Sequence, residues 1–246
     1  MEVRLLPEDE KELVDKFQKE SGDKYNVLYG GDGTLAGGWS SQVFSQDAIL
    51  LPIRNYGRCD THEDIREILR KARFNELEVR EFPIFVADGH TFLSEFQLKS
   101  ADISQAMRFD IEVNGKTFAK NVIADGIVAA TSLGATGYFK SITRTVFRRG
   151  WGLAIVNPTY SIVNQVLSTD DRVRIIFRRE CPTVFAWDKD VEKGEDRGVN
   201  QVAIPEIEIK MLNCARPKRI AGYDIFMCSG CRKSRNSSIV NDQYIV

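Results

Sequence analysis

The sequence predicts a small α/β domain over residues 1–80, a parallel sheet with helices, followed by a β-rich domain over 81–246 that ends in a basic tail. Up to about residue 75, short apolar runs alternate with amphipathic stretches of helical period, the pattern of a parallel α/β layer. Beyond about residue 78 the texture changes to short segments that alternate with a period of two, as half-buried strands do. A chain of 246 residues, 43% of them hydrophobic and 28% charged, can bury one large or two modest cores without disulfides or a structural metal.

The first helix is expected over residues 8–20, EDEKELVDKFQKE, which set Leu13, Val14 and Phe17 on one face. Acids fill its first turn, where they favour the positive end of the helix dipole, so it begins after Pro7. Tyr25 to Tyr29 is a compact apolar run that stops at Gly30, which fits a buried strand opening into a glycine-rich loop. Residues 47–53, DAILLPI, repeat that pattern, and 61–73, THEDIREILRKAR, read as a helix with Thr61 as N-cap and Asp64 at its third position. In the second half, EVREFPIFVADG, FLSEFQLKS, RFDIEVNGKTFAKNVIADG and DRVRIIFRRE read as strands. Asn114-Gly115 makes a two-residue hairpin turn, because both residues tolerate positive φ.

Composition excludes several classes. With 34 basic and 35 acidic residues the formal charge is -1, so neither a nucleic-acid nor a membrane partner is expected. No segment approaches the roughly 18 uninterrupted apolar residues of a membrane span, and the opening MEVRLLPEDEKELVDK lacks the apolar run of a signal peptide. The expected location is cytoplasmic. The five cysteines are an odd, scattered set, unlike a secreted disulfide framework. Cys228 and Cys231 form a lone CxxC without a second pair at metal-ligand spacing, so they read as free thiols. The Arg216–Arg235 tail and Arg144, Arg148 and Arg149 read as solvated basic surface.

Two runs carry candidate chemistry. GGDGT, from Gly30 through Gly31, Asp32 and Gly33 to Thr34, sits where a predicted strand ends, the edge at which α/β sheets gather ligands. Its glycines let phosphate oxygens approach bare amides, while a carboxylate among them is a poor phosphate neighbour unless it manages a proton or a metal. The competing reading is a tight strand-to-helix turn in which Asp32 only caps the next element. The second run, ADGIVAATSLGATGYFKS, extends from Ala124 to Ser141. Asp125-Gly126 closes one strand, a second ends at Thr131, and Gly134, Thr136, Gly137 and Tyr138 make a turn able to approach a sugar or amide. The plainer reading is a hairpin-like corner with a surface tyrosine.

Taken together, these runs resemble the NAD kinase family. That family carries GGDGT, then a GRLGF-like segment, an Asn-Glu or Asn-Asp pair, and later DG followed by T-P-x-G-S-T-A-Y. Here GGDGT is followed by NYGRC at 55–59, FLSE at 92–95 and DGIVAATSLGATGY at 125–138, in the same order. The likeness runs on through GWGLAIVNPT and VLSTDDRVRIIF to a turn at Trp187-Asp188-Lys189, covering roughly residues 25–210. Ser94 stands where the family has asparagine, and Ser132, Leu133, Ala135 and Gly137 depart from its T-P-x-G-S-T-A-Y run. Only 29 residues precede GGDGT, so the resemblance implies a divergent, N-terminally short member.

The resemblance implies an α/β domain joined to a β-sandwich-like, β-rich domain. It also implies transfer of the ATP γ-phosphoryl group to the adenosine-ribose 2′-hydroxyl of NAD, with Mg2+ and with Asp32 as general base. By the same carry-over Ser94 and Glu95 contact NAD, Asp125 binds its polar edge, and Gly57, Arg58, Thr131, Thr136, Gly137, Tyr138 and Ser141 line the dinucleotide site. A homodimer or homotetramer is implied as well. The alternatives are a non-catalytic nucleotide-binding relative and a lipid or sugar kinase that shares GGDGT. The further motifs of the lipid and sugar kinases do not occur in this chain.

Overall fold

Helix α1 (Glu8–Ser21) forms where the acidic first turn and the Leu13/Val14/Phe17 stripe predict it, and Phe17 is fully buried. The computed structural model describes residues 8–30, 47–54, 64–160, 164–188, 201–202, 205–213 and 216–223. These fall in two units: one reaches Glu81 and resumes at Lys218, the other includes the continuous stretch Phe82–Pro217.

In the first unit β1 (Tyr25–Gly30) and β2 (Ile49–Arg54) pair in parallel, Tyr25 opposite Ile49 and Gly30 opposite Arg54. Helix α2 (Ile65–Arg73) buries Ile65, Ile68, Leu69 and Ala72, a stripe at the i, i+3, i+4, i+7 spacing of one helix face. Its N-cap is Asp64 rather than the expected Thr61. The Asp64 backbone is non-helical, and its carboxylate accepts a hydrogen bond from the Arg66 amide at 2.8 Å, satisfying a donor that the first turn would leave free. The Tyr25 hydroxyl donates to the Ala72 carbonyl at 3.3 Å and its ring meets Phe17 at 5.7 Å between centroids, which ties both helices to β1.

Two strands depart from the expected partition. Val79–Phe82, read with the β-rich half, is β3 of this first sheet. The segment Lys218–Ala221, assigned with the tail to the second domain, pairs in parallel with β2 and lies between β2 and β3. Nothing local marks either choice; Ile220 and Ala221 are fully buried there, and that burial decides it.

The second unit is β-rich, as expected. One six-stranded sheet contains β5 (His90–Phe92), β4 (Phe85–Ala87), β15 (Glu206–Met211), β12 (Val173–Phe177), β7 (Met107–Val113) and β8 (Lys116–Ala124), in that order. The other runs β11 (Gln165–Leu167), β10 (Trp151–Val156), β9 (Gly126–Thr131), β6 (Glu95–Ser100), β13 (Thr183–Trp187), β14 (Gln201–Val202). The remaining strand, Lys218–Ala221, is β16. Residues of both sheets share one core, with Phe85 of one against Trp151 of the other at 5.6 Å, an arrangement of sandwich type. The β7–β8 hairpin turns at Asn114 (φ 51°) and Gly115 (φ 75°), as the sequence predicts.

Strand β9 is buried along its whole length because both of its faces are covered. Ile127 and Ala129 enter the shared core, while Val128 and Ala130 pack with Phe139 of helix α3 (Tyr138–Thr143). The small, uniformly apolar run IVAAT is the consequence: it must pack on two sides at once. The helix it supports carries two of the predicted site residues, Tyr138 and Ser141.

Candidate functional site

A cluster of polar groups gathers where three neighbouring strands of one sheet end or begin. The register pairs Glu95 of β6 with Ala130 of β9, and Trp187 of β13 with Phe96 of β6. The turn Leu93–Ser94, the strand end at Thr131 and Asp188 just past β13 therefore come together.

The turn is held from both sides. Asp188 is buried, 6% exposed, and its carboxylate accepts from the backbone amides of Leu93, Ser94 (2.9 Å) and Glu95 (3.1 Å). Thr131 takes the opposite edge. Its hydroxyl donates to the Leu93 carbonyl at 2.5 Å and its amide to the Ser94 carbonyl at 2.9 Å. The Thr131 hydroxyl in turn accepts from the Leu133 amide at 3.2 Å, which fixes the start of the next turn. Buried backbone groups need such partners, so the conformation of residues 93–95 is determined by side chains remote in sequence.

The Gly134–Thr136 turn then folds onto this platform. A β-carbon on Gly134 would lie 2.2 Å from the Ser94 carbonyl oxygen, so only glycine permits the approach. Leu133 and Ala135, at polar positions of the family run, are buried instead. Gly137 precedes α3, and a β-carbon there would lie 3.3 Å from Glu95 Oε2. Glu95 thus faces the start of α3. Its other carboxylate oxygen accepts from the Gln97 amide at 2.6 Å.

Because β6 alternates, Phe96 and Leu98 enter the core while Glu95, Gln97 and Lys99 share the other face. Lys99 reaches along that face and places its ammonium 4.5 Å from the centre of the Tyr138 ring, a cation–π contact. Burial pushes the Glu95 carboxyl above its usual range; Gln97, the Tyr138 amide and the Lys99 charge pull it back down. Burial likewise pushes Asp188 up to about 7, against its three amides, with the Glu95 charge adding to the rise. Burial and the neighbouring Glu95 charge thus both oppose ionisation of Asp188 beneath this turn.

Ser94, Glu95, Thr131, Thr136, Gly137 and Tyr138 thus belong to one neighbourhood. Ser141 is exposed on α3, its hydroxyl 3.5 Å from the Gly137 carbonyl. Asp125 lies at the far end of β9, about 20 Å of strand rise from Thr131, and accepts from the Asn157 side chain at 2.9 Å. Gly30 ends β1 in the first unit. Gly31, Asp32, Gly33, Thr34, Gly57 and Arg58 lie outside the described residues, as do Cys228 and Cys231. Arg144 ends α3 in a left-handed conformation, and Arg144, Arg148 and Arg149 are exposed.

Sequence reading missed three members. Lys99, Gln97 and Asn157 carry no motif. The two-residue alternation from Glu95 could have placed Gln97 and Lys99 on its face, but nothing local ties Asn157 to Asp125. Asp188 stood in the turn noted after VRIIF, yet no role followed from its position.

No protein-family model matches the chain. Among curated proteins it is similar to NAD kinase 2 of Bacillus subtilis (strain 168), 30% identical over 127 residues, 48% of this chain and 47% of the relative. NAD kinase 2 of Listeria monocytogenes (serovar 1/2a) is 29% identical over 145 residues, 55% and 52% of the two chains. NAD kinase 2 of Geobacillus kaustophilus is 32% identical over 127 residues, 47% and 46% of the two. The matches span about half the length of these relatives. Among solved structures, an NAD kinase from Archaeoglobus fulgidus in complex with ATP superposes with a TM-score of 0.68 at 19% identity, over 91% of this chain and 94% of that one. Yeast NADH kinase complexed with NADH superposes with a TM-score of 0.62 at 15% identity, over 91% and 67%. Over about half of its length the chain is thus similar in sequence to NAD kinases, and its fold is like theirs.

Proposed function

We propose that the chain transfers the γ-phosphoryl group of ATP to the adenosine-ribose 2′-hydroxyl of NAD, giving NADP and ADP. One observation carries this reading above the others. The FLSE turn, Thr131 and the GATGY turn, far apart in sequence, form a single polar patch on a fold like that of the NAD kinases.

In this reading Asp32 is the general base. Its carboxylate takes the 2′-hydroxyl proton as the new oxygen–phosphorus bond forms, and the bond to the β-phosphate oxygen breaks to release ADP. Gly30, Gly31, Gly33 and Thr34 offer backbone donors to the phosphates, and Gly57 and Arg58 belong to the dinucleotide-binding set. Ser94 and Glu95 contact the dinucleotide, Thr131, Thr136, Gly137, Tyr138 and Ser141 line its site, and Asp125 meets its polar edge. A dinucleotide is long enough to reach both ends of β9.

Among the described residues, no three His, Cys, Asp or Glu side chains converge as a cation cage. In this reading Mg2+ would enter with ATP and would offset the charge of its phosphates. Assembly as a homodimer or homotetramer in the cytoplasm belongs to the same reading; sedimentation equilibrium measures the assembly.

The test is NADP formation by the purified chain with ATP, Mg2+ and NAD, beside Asp32→Asn and with diacylglycerol, sphingosine and fructose 6-phosphate as rival acceptors. The wild type makes NADP, and Asp32→Asn binds NAD but loses turnover by about 100-fold or more. Full activity in Asp32→Asn removes Asp32 from the chemistry, and NAD binding without turnover in the wild type identifies a non-catalytic relative.

A further inference from the structure

The least economical feature of the second unit is a buried carboxylate that the proposed chemistry does not use. Asp188 lies opposite Glu95 across the β6–β13 pair, is 6% exposed, and has three consecutive backbone amides directed at it. Burying an acid is costly, and a turn of this size can satisfy its amides with backbone carbonyls or water at lower cost. The arrangement requires an acceptor with several free lone pairs. A carboxylate meets that need; an asparagine cannot, because half of its amide is itself a donor.

The same turn has its carbonyls occupied by Thr131, through the side chain at Leu93 and through the amide at Ser94. With amides bound on one edge and carbonyls on the other, the backbone of 93–95 has no freedom to rotate. The Glu95 side chain is left directed at Gly137 and the start of α3. A hairpin needing only to reverse direction would not require clamping from two other strands. Fixing a side chain to within a fraction of an ångström does require it.

We propose that Asp188 is a positioning residue for dinucleotide binding: its carboxylate gathers the Leu93, Ser94 and Glu95 amides and so holds Ser94 and Glu95 in the geometry that grips NAD. The residue touches no substrate. Its effect passes through the turn, and the proposal rests on the functional reading above.

The experiment compares full-length wild type with Asp188→Asn, measuring steady-state kinetics for both substrates and amide hydrogen exchange. Asp188→Asn raises the KM for NAD about tenfold or more, the usual scale when a supporting partner is lost. Its kcat and its KM for ATP stay within about threefold. Exchange accelerates at Ser94 and Glu95 but not at Ile127–Ala129 in the sandwich core, which separates a loosened turn from an unfolded protein. An unchanged KM for NAD in the folded variant overturns the proposal, and so does equal loss in kcat and in both KM values. If the wild type makes no NADP, the functional reading fails by itself. Exchange then still decides the clamp, because unchanged protection at Ser94 and Glu95 overturns it whatever the ligand.

Discussion

At the scale of single residues, two buried aspartates act on stability with opposite signs. Asp110 sits at a β7–β8 irregularity, accepts from the Asn121 amide at 2.8 Å and is paired with Arg178. The Arg178 guanidinium holds its carboxyl below the usual range, although burial opposes this. An acid whose folded pKa is depressed contributes stability above its unfolded value and loses it as pH falls through the folded one. Asp188 is the reverse case. Burial, helped by the Glu95 charge, pushes it from 3.8 up to about 7. Between those values the folded protein keeps a proton that the unfolded chain has released, so this group's contribution falls as pH rises through that window. Melting temperatures from pH 3 to pH 8 separate the two: Asp110→Asn flattens the acid limb, and Asp188→Asn flattens the decline toward neutrality. Parallel profiles for wild type and both variants would show that neither group titrates as its surroundings demand.

At the scale of elements, glycine positions report how closely the pieces of the second unit approach one another. A β-carbon on Gly134 would meet a backbone carbonyl, Ser94 O, at 2.2 Å, whereas one on Gly152 of β10 would meet the rings of Phe139 at 2.5 Å and Phe147 at 2.7 Å. Rings can swing aside; a carbonyl clamped by Thr131 cannot. Gly134→Ala is therefore expected to cost about 1–3 kcal/mol, the scale of a forced backbone shift, and, on the proposed function, to weaken NAD binding. Gly152→Ala costs less and leaves binding near the wild-type value. Thermal melts with and without NAD measure both, and a larger loss in Gly152→Ala would mean that the two turns are not in rigid contact. Local signals announced the elements here well: IVAAT, the Asn114-Gly115 hairpin and the α1 stripe all arise from residue type and spacing. The cap of α2 was misplaced by three residues, because Thr61 and Asp64 are both competent caps and only backbone geometry selects Asp64.

At the scale of the whole molecule, the chain returns to its first unit at the end, since β16 lies between β2 and β3 in the sheet order β1-β2-β16-β3. A chain stopped after Pro217 leaves β2 and β3 without the strand that separates them, and it loses buried Ile220 and Ala221. Limited proteolysis of that truncation should cut readily within residues 8–81 while 82–217 stays protected; protection equal to that of the full chain would mean that β16 is dispensable. The sequence by itself determined the α/β-then-β character, the helix and strand types, and the two runs that carry the resemblance, because these are local consequences of periodicity, propensity and glycine placement. Only the tertiary structure decided that Asp188 and Thr131 clamp the 93–95 turn from opposite edges, that Lys99 lies over Tyr138, and that residues 218–221 complete the first sheet. Each is a pairing across dozens of residues or more. Such pairings are settled by the burial and hydrogen-bond satisfaction of the whole fold, and no window along the chain contains both partners.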